Sequence, residues 1–459
     1  MCGIIGVHSI ENSEDIIYII FEGLLGLQHR GQDGVGIATS KRIIKKNGLV
    51  KTSFVDSELL ELKSNCCIGH VRYSTNGVID GIQPFYSNFP RRITICHNGN
   101  IINTDNLKEI LEKEYNIVTS SESDSYIFLC VFSSKLYSLI KESGNNIITS
   151  EMIFETTNYI HLIVEGSFCV NIIIEGYGMI IIRDKCGIRP LIWGVKNKNI
   201  NLICSESTVM NILDFEIIRD VNSGETIIFE NSGRIRNYHF KDSVLTPCLF
   251  EYIYFARSDS ILDNINVLDA RISIGQIMGK HIMNNLNEQI DVIVPVPDTS
   301  ITFANGIQDI LKLPIRSGLI KNRYIDRTFI MKNQTTIIKN IKRKITCNDS
   351  VFRNKSVLIV DDSIVRGNTS KHIIKIVKKC NPRKIIFVSC SPVIKNTNQF
   401  GIYIPTKDEL IYNDSQSIEG IRKYLGVDYL FYNNLDDIIN ELRSKNNKIT
   451  GFEVSMFKD

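Results

Sequence analysis

Two places in this 459-residue sequence put reactive side chains where chemistry could begin. The first is Cys2, directly after the initiator methionine. Cysteine is small enough for that methionine to be removed, which leaves a free α-amine on the same residue as a thiol. The amine titrates at about 7.7–8.0 and an ordinary thiol at ~8.5. The amine can therefore serve as base for its own side chain, as an N-terminal amine does for a threonine nucleophile. The second place is Val357–Asp362, an apolar run that ends in two adjacent carboxylates, followed by the Gly/Ser/Thr-containing stretch Ser363–Ser370. Ligands bind beyond the carboxyl ends of such strands. Free N–H groups where a helix begins suit a phosphate, and paired carboxylates suit sugar hydroxyls and Mg²⁺.

The elements that must position these groups change character along the chain. Before about residue 245 the pattern is short apolar runs broken by Gly, Asn and Ser: 67–71, 93–96, 168–175, 179–183, 202–204 and 225–229. Such runs predict packed antiparallel sheets, interrupted by helices over roughly 16–27 and 124–140. After 245, fully apolar strands over 292–296, 357–360 and 385–390 alternate with helical segments such as 369–380. That alternation predicts a parallel sheet covered on both faces. The expected division is 2–245 and 246–459. Residues 340–355 read as a basic, polar stretch on the surface.

Composition excludes several classes. With 53 basic and 50 acidic side chains the net charge is +3, so there is no basic excess of the kind a dedicated nucleic-acid binder carries. Hydrophobic residues make up 43% of the chain, which rules out wholesale disorder. Apolar stretches such as 172–174 and 179–182 are far too short to span a bilayer. The N-terminus has no basic n-region and no long apolar h-region, so no secretion signal is expected. The twelve cysteines are scattered, with only Cys66 and Cys67 adjacent and no C-x-x-C, which points to buried thiols in a reducing cytoplasm.

Four further segments accompany Cys2. Gln28-His29-Arg30-Gly31-Gln32-Asp33 reads as a polar turn after a helix. Gly69-His70-Val71-Arg72-Tyr73 places an arginine at a strand end. His97-Asn98-Gly99-Asn100 reads as a tight turn between apolar runs, and Ser121–Ser125 as a helix start. With Cys2-Gly3-Ile4-Ile5-Gly6, and in this order, they resemble the class II glutamine amidotransferase domain of the N-terminal nucleophile type, an α+β sandwich of antiparallel sheets between helices. The resemblance covers residues 2 to about 240. It implies that Cys2 attacks the side-chain amide of glutamine to give a thioester, and that Asn98 and the backbone N–H of Gly99 form the oxyanion hole. Arg72, Thr75 and Asp124 would bind the glutamine, with Arg72 on its α-carboxylate and Asp124 on its α-ammonium. Ser74 stands where related chains often carry proline.

The run from Val357 to Ser370 resembles the phosphoribosyl-pyrophosphate signature of type I phosphoribosyltransferases, an α/β family with a parallel sheet. It implies that Asp361 and Asp362 face the ribose diol and one Mg²⁺ per subunit, with Thr299 also near the metal. Ser363, Ile364, Val365, Arg366, Gly367, Asn368, Thr369 and Ser370 would cradle the 5-phosphate. Asn368 replaces a threonine of the family. Val294–Ser300 would lie against pyrophosphate and metal. The basic segment Lys321–Phe329, through Lys321, Tyr324 and Arg327, would close over the departing pyrophosphate and exclude water.

Both halves together resemble an enzyme family in which these two units are fused and which opens de novo purine synthesis. The joining segment Cys248–Ser260 is similar to that family's, with Ser258 in place of proline. The implied reaction takes glutamine, phosphoribosyl pyrophosphate and water to 5-phosphoribosylamine, glutamate and pyrophosphate, with ammonia passing through a closed interior between the sites. The family also implies a homotetramer and feedback inhibition by purine nucleotides. Some members carry a propeptide and an iron–sulfur cluster on four cysteines. Here Cys2 follows Met1, and Cys248 resembles one cluster ligand. Asn398-Gln399-Phe400 and the C-terminal Phe452–Phe457 offer no others, so the cluster-free form is expected. Lys332, Ile337 and Ile338 depart from the family beyond the basic loop. A sugar-isomerising amidotransferase would share the first half but has no use for the Asp361-Asp362 loop. A regulator that binds nucleotide or nucleic acid without turnover would need no complete Cys2 site.

Overall fold

Short alternating strands in the first half assemble into two antiparallel sheets. In the computed structural model, which describes residues 2–13, 15–73, 81–322, 345–402, 406–413 and 417–458, the first sheet has seven strands. Their order is Glu216–Asp220, Ile192–Lys196, Ile200–Cys204, Gly3–Ser13, Ser64–Arg72, Gly34–Thr39 and Ile43–Asn47. The second has six: Ile235–His239, Glu225–Glu230, Gly178–Arg183, Gly166–Ile174, Ile93–Ile101 and Phe85–Ser87. The period of two along each strand sorts its side chains into separate cores. Ile4, Ile68, Ile173, Ile181 and Ile203 fill the space between the sheets. Ile5 and Val7 instead face the helix Asp15–Gly26. Ile93, Ile95, Val170 and Ile172 face the helices Asp124–Ser143 and Ser150–Ile163. The result is the expected sandwich of two sheets between helices.

In the second half the strands Val292–Pro295, Ser356–Asp361, Lys384–Ser389 and Tyr429–Tyr432 form a parallel sheet in that order. Their unbroken apolar runs follow from burial on both faces. Leu358 and Val360 pack with the helices Val267–Asn285 and Ser300–Leu311 in a core that continues into the first half. Val357 and Ile359 pack with the helix Asn368–Lys378 in another. No described helix is long and apolar enough to cross a membrane.

Two expectations are corrected. His97–Asn100 is not a turn. It lies inside the strand Ile93–Ile101, paired residue for residue with Gly166–Ile174. The Asn-Gly pair is a hairpin signal only locally, and long-range pairing overrides it. Residues 345–355 are not simply a surface run either, because Val351 and Phe352 are buried in the second core. The helices Thr104–Tyr115, Ser150–Ile163 and Val267–Asn285 were not foreseen.

His161, on the helix Ser150–Ile163, stacks on Phe168 and lies 5.1 Å from the ring of Phe240. Burial, with Lys185 nearby, pushes its pKa down from 6.5 to about 4. As pH falls, the unfolded chain therefore takes up this proton before the folded one does. The stability tied to the neutral ring is complete above the unfolded pKa and is lost as pH drops from about 6.5 towards 4. Replacing the ring with an apolar side chain removes that loss. The expected outcome is that His161→Leu loses less unfolding free energy than wild type between pH 7 and pH 4, by about 2–3 kcal/mol. Denaturant titration at both pH values checks this; equal losses in the two proteins contradict it.

Candidate active site

Cys2 stands at the head of the strand Gly3–Ser13 and is half-buried. Its nitrogen lies 3.3 Å from Asn98 Oδ1, and its carbonyl accepts a hydrogen bond from Arg30 Nε at 3.0 Å. Asn98 is buried, and its Nδ2 has no partner. A buried amide N–H without an acceptor is costly, and here it sits beside the Cys2 nitrogen. Gly99 follows at φ +154°, where a Cβ would stand 2.0 Å from Ser167 O, so only glycine fits. Gly3 pairs with Val71, which brings Arg72 at the end of Ser64–Arg72 to the same edge as Cys2. Its guanidinium packs against Gly81. Asp124 opens the helix Asp124–Ser143, whose N-cap Ser123 accepts from Tyr126 N. Its carboxylate accepts from Ile101 N at 3.1 Å and from Ser125 N at 2.7 Å. Thus Cys2, Asn98, Gly99, Arg72 and Asp124 gather around one end of the two sheets. Thr75, with Ser74, lies outside the described residues.

Sequence reasoning missed the groups that hold this end in place. Gln83 Oε1 accepts from His97 N at 2.6 Å and its Nε2 donates to Ser125 Oγ at 3.1 Å, while His97 Nδ1 lies 2.8 Å from the same hydroxyl. Beneath Cys2, Arg30 is buried between Glu206 and Glu251, and Arg189 reaches Glu251 at 3.3 Å. His29 Nε2 lies 2.7 Å from Glu206, which also accepts from Arg257 N at 2.9 Å and Ser260 Oγ at 2.8 Å. Burial opposes charge on Glu206, but His29 and Arg30 overcome it and hold its carboxyl well below the usual carboxylate range. Arg30 lies in the Gln28–Asp33 motif and Glu251 in the joining segment. Glu206 carried no sequence signal.

A segment of the second half also seats on the Asn98–Gly99 strand. Gln399 O accepts from Asn100 Nδ2 at 2.8 Å. Phe400 O accepts from Ser167 Oγ at 2.7 Å and from the Arg189 guanidinium. Asn398 braces this segment. Its Oδ1 accepts from Phe400 N at 2.8 Å and Ile402 N at 3.2 Å, and its Nδ2 donates to Glu453 at 3.0 Å and Ser455 at 3.3 Å.

At the second site, Asp361 ends its strand and Asp362 follows. Ser300 Oγ lies 3.5 Å from Asp361 Oδ1, and Ser363 Oγ donates to Asp362 at 2.7 Å. Burial and the neighbouring like charge push the Asp361 carboxyl up. Burial does the same to Asp362, where Ser363, Arg271 and Thr299 pull the other way. Arg271 is itself buried. It donates to Tyr252 O and Ala256 O, both at 2.8 Å, and to the Ser258 hydroxyl at 3.1 Å, which gives the departure at Ser258 a partner.

Ile364 is buried, and Val365 O accepts from Ile411 N at 2.9 Å. Gly367, at φ +74°, turns the chain into the helix Asn368–Lys378, where a Cβ would strike Ile411. That helix presents Asn368, Thr369 and Ser370 in its first turn, the positive end of its dipole. Arg366 pairs with Glu409 at 2.9 Å and Lys321 with Asp298 at 2.7 Å, all four exposed. Tyr324 and Arg327, with Lys332, Ile337 and Ile338, lie outside the described residues.

Comparisons with known proteins agree across both halves. A glutamine amidotransferase domain model matches residues 70–211 and a phosphoribosyl transferase domain model matches 259–395. The amidophosphoribosyltransferase of Escherichia coli (strain K12) is 38% identical over 470 residues, covering 100% of this chain and 92% of that protein. That of Saccharomyces cerevisiae is 36% identical over 474 residues, covering 100% and 91%. A solved structure of glutamine phosphoribosylpyrophosphate amidotransferase from B. subtilis, complexed with ADP and GMP, superposes with a TM-score of 0.85 at 30% identity, covering 100% and 96%.

The buried Arg30 cluster makes a sharp prediction. Removing the one cation shared by two buried carboxylates leaves Glu251 paired with Arg189 alone and Glu206 with His29 alone. Arg30→Leu is expected to cost about 3–5 kcal/mol of unfolding free energy, measured by denaturant unfolding. A loss below about 1 kcal/mol, the range of exposed pairs, contradicts it.

Proposed function

The chain belongs to the amidophosphoribosyltransferase family, and we propose which of its residues carry that family's reaction. The reaction transfers nitrogen from glutamine to C1 of phosphoribosyl pyrophosphate, giving 5-phosphoribosylamine, glutamate and pyrophosphate, and it opens de novo purine synthesis. The division of labour falls at 245/246, with residues 2–245 freeing the nitrogen and 246–459 using it. The observation that carries this reading is the buried, unpartnered Nδ2 of Asn98 beside the Cys2 nitrogen.

Once Met1 is removed, the Cys2 nitrogen becomes an α-amine and takes the thiol proton as Sγ attacks the glutamine amide. Negative charge develops on the amide oxygen, where Asn98 Nδ2 and the Gly99 N–H receive it. Arg72 pairs with the α-carboxylate in a charge-assisted contact, Asp124 takes the α-ammonium, and Thr75 completes the glutamine site. The protonated amine then returns its proton to the departing ammonia, and water releases glutamate from the thioester. Ammonia passes to the second site through the enclosed core that the two halves share.

There, Ser363 to Ser370 bind the 5-phosphate through the loop and the helix N-terminus. Lys321, Tyr324 and Arg327 close over the pyrophosphate. The oxygens of Asp361, Asp362 and Thr299 fit a hard divalent cation, because two adjacent carboxylates, one buried and one half-buried, repel each other until a cation joins them. No group of three metal-ligating side chains occurs among the described residues, so Mg²⁺ would complete its shell with water and substrate oxygens, as it commonly does. When bound, Mg²⁺ supplies positive charge at the diphosphate.

The cluster-free form is supported by what surrounds Cys248. Its backbone bridges to Glu453, and Glu453 and Ser455 hydrogen-bond with Asn398. Purine nucleotides as inhibitors draw support from the ADP and GMP bound by the B. subtilis relative. A homotetramer and a cytoplasmic location complete the proposal, with no nucleic acid or membrane partner.

Three variants test the assignment. Cys2→Ala is expected to lose glutamine-dependent synthesis and keep turnover with added ammonia. Asn98→Ala lowers glutaminase kcat by about 10²–10³ with ammonia-dependent synthesis intact. Asp361→Asn impairs synthesis from both nitrogen sources. Pyrophosphate release with each source is the readout; undiminished glutamine use by Cys2→Ala refutes the nucleophile.

A further inference from the structure

Two thiols outside both sites face each other. Cys347 ends the strand Ile345–Cys347, which pairs with Leu319–Lys321 in a short hairpin. Cys380 lies just beyond the helix Asn368–Lys378. Their Sγ atoms are 2.9 Å apart, and both are free. Among the described residues theirs is the only hydrogen bond between two cysteine sulfurs. The adjacent Cys66 and Cys67, by contrast, point into different cores.

We propose that Cys347 and Cys380 are an oxidative modification site that forms a reversible disulfide. Closing the bond to about 2.0 Å asks the sulfurs to approach by less than about 1 Å. Cys347 is half-buried and open to a small oxidant, while Cys380 is buried behind it. Burial and the contact with Cys380 push the Cys347 thiol up. The reaction therefore relies on proximity rather than on abundant thiolate, and the pair stays reduced until a peroxide meets it.

The balance is simple. One sulfur, giving up its proton, attacks a peroxide oxygen and breaks the O–O bond, leaving a sulfenic acid and water. The second sulfur attacks the first, breaks its S–O bond and releases a second water. Two thiols lose two electrons in all, and the peroxide gains them. A dithiol reverses the bond by exchange.

The position gives the bond a consequence. The residues are 33 apart in sequence, and between them lie the strand Ser356–Asp361, Asp362 and the whole of Ser363–Ser370. The disulfide would close a covalent loop around the segment assigned to the sugar phosphate. That consequence rests on the proposed function; formation of the bond does not.

The test uses the reduced full-length protein, exposed to hydrogen peroxide, quenched, alkylated and mapped by peptide mass. The expected result is a cross-linked peptide holding Cys347 and Cys380, lighter by the hydrogens lost and released by dithiothreitol. Cys347→Ser and Cys380→Ser should each abolish it, while glutamine-dependent synthesis of the untreated variants shows that they fold. If both thiols are still alkylated after exposure that has oxidised the half-buried Cys2, the proposal fails. It fails equally if either cysteine pairs with another.

Discussion

A buried charge cluster holds the two halves to one geometry. Arg30 comes from the turn after the first helix, Glu206 from the end of the strand Ile200–Cys204, Arg189 from a loop between strands, and Glu251 from the joining segment. Two guanidinium groups and two carboxylates balance one another with almost no access to water. Such a group is stable only when every member is present and hydrogen-bonded. Because Arg30 also donates to the Cys2 carbonyl, the cluster fixes the residue proposed as nucleophile. Because Arg189 also donates to Phe400 O, it fixes the segment through which the second half touches the Asn98–Gly99 strand and its neighbour.

The two candidate sites share a design: an element end presents the reactive groups, and a distant segment locks them. Cys2 stands at the head of a strand, and its partner Asn98, followed by Gly99, lies in the facing sheet, in register with Gly166–Ile174. Asp361 ends a parallel strand whose neighbour Val292–Pro295 leads into Thr299 and Ser300. Arg271 lies behind the carboxylates and ties them to the joining segment through Tyr252, Ala256 and Ser258. That segment therefore meets the first site through Glu251 and the second through Arg271. A joining region with contacts to both sites explains how one continuous core can serve two separate chemistries.

Much of this was legible in the sequence, for physical reasons that also mark the limit. The strand, carboxylate pair, loop and helix of Val357–Lys378 are local features, and periodicity with turn residues shows them directly. Cys2 was legible because its position alone confers an amine. Asn98 and Gly99 were given the wrong backbone, since nothing local tells a hairpin Asn-Gly from one held in a strand by residues some seventy positions away. Glu206 could not be found at all. Its partners Arg30 and Ser260 lie 176 and 54 positions from it, and a lone glutamate after a strand reads as a solvated side chain. Phe352 escaped for a related reason: a polar run disguises the one aromatic that turns inward.

The central claim is that the first site depends on the second half for its geometry, through the segment braced by Asn398. The most direct measurement is the ratio of glutamine-dependent to ammonia-dependent synthesis in Asn398→Ala. The account predicts that the ratio falls, with synthesis from ammonia close to wild type. An unchanged ratio, whether both activities persist or both decline together, would contradict it.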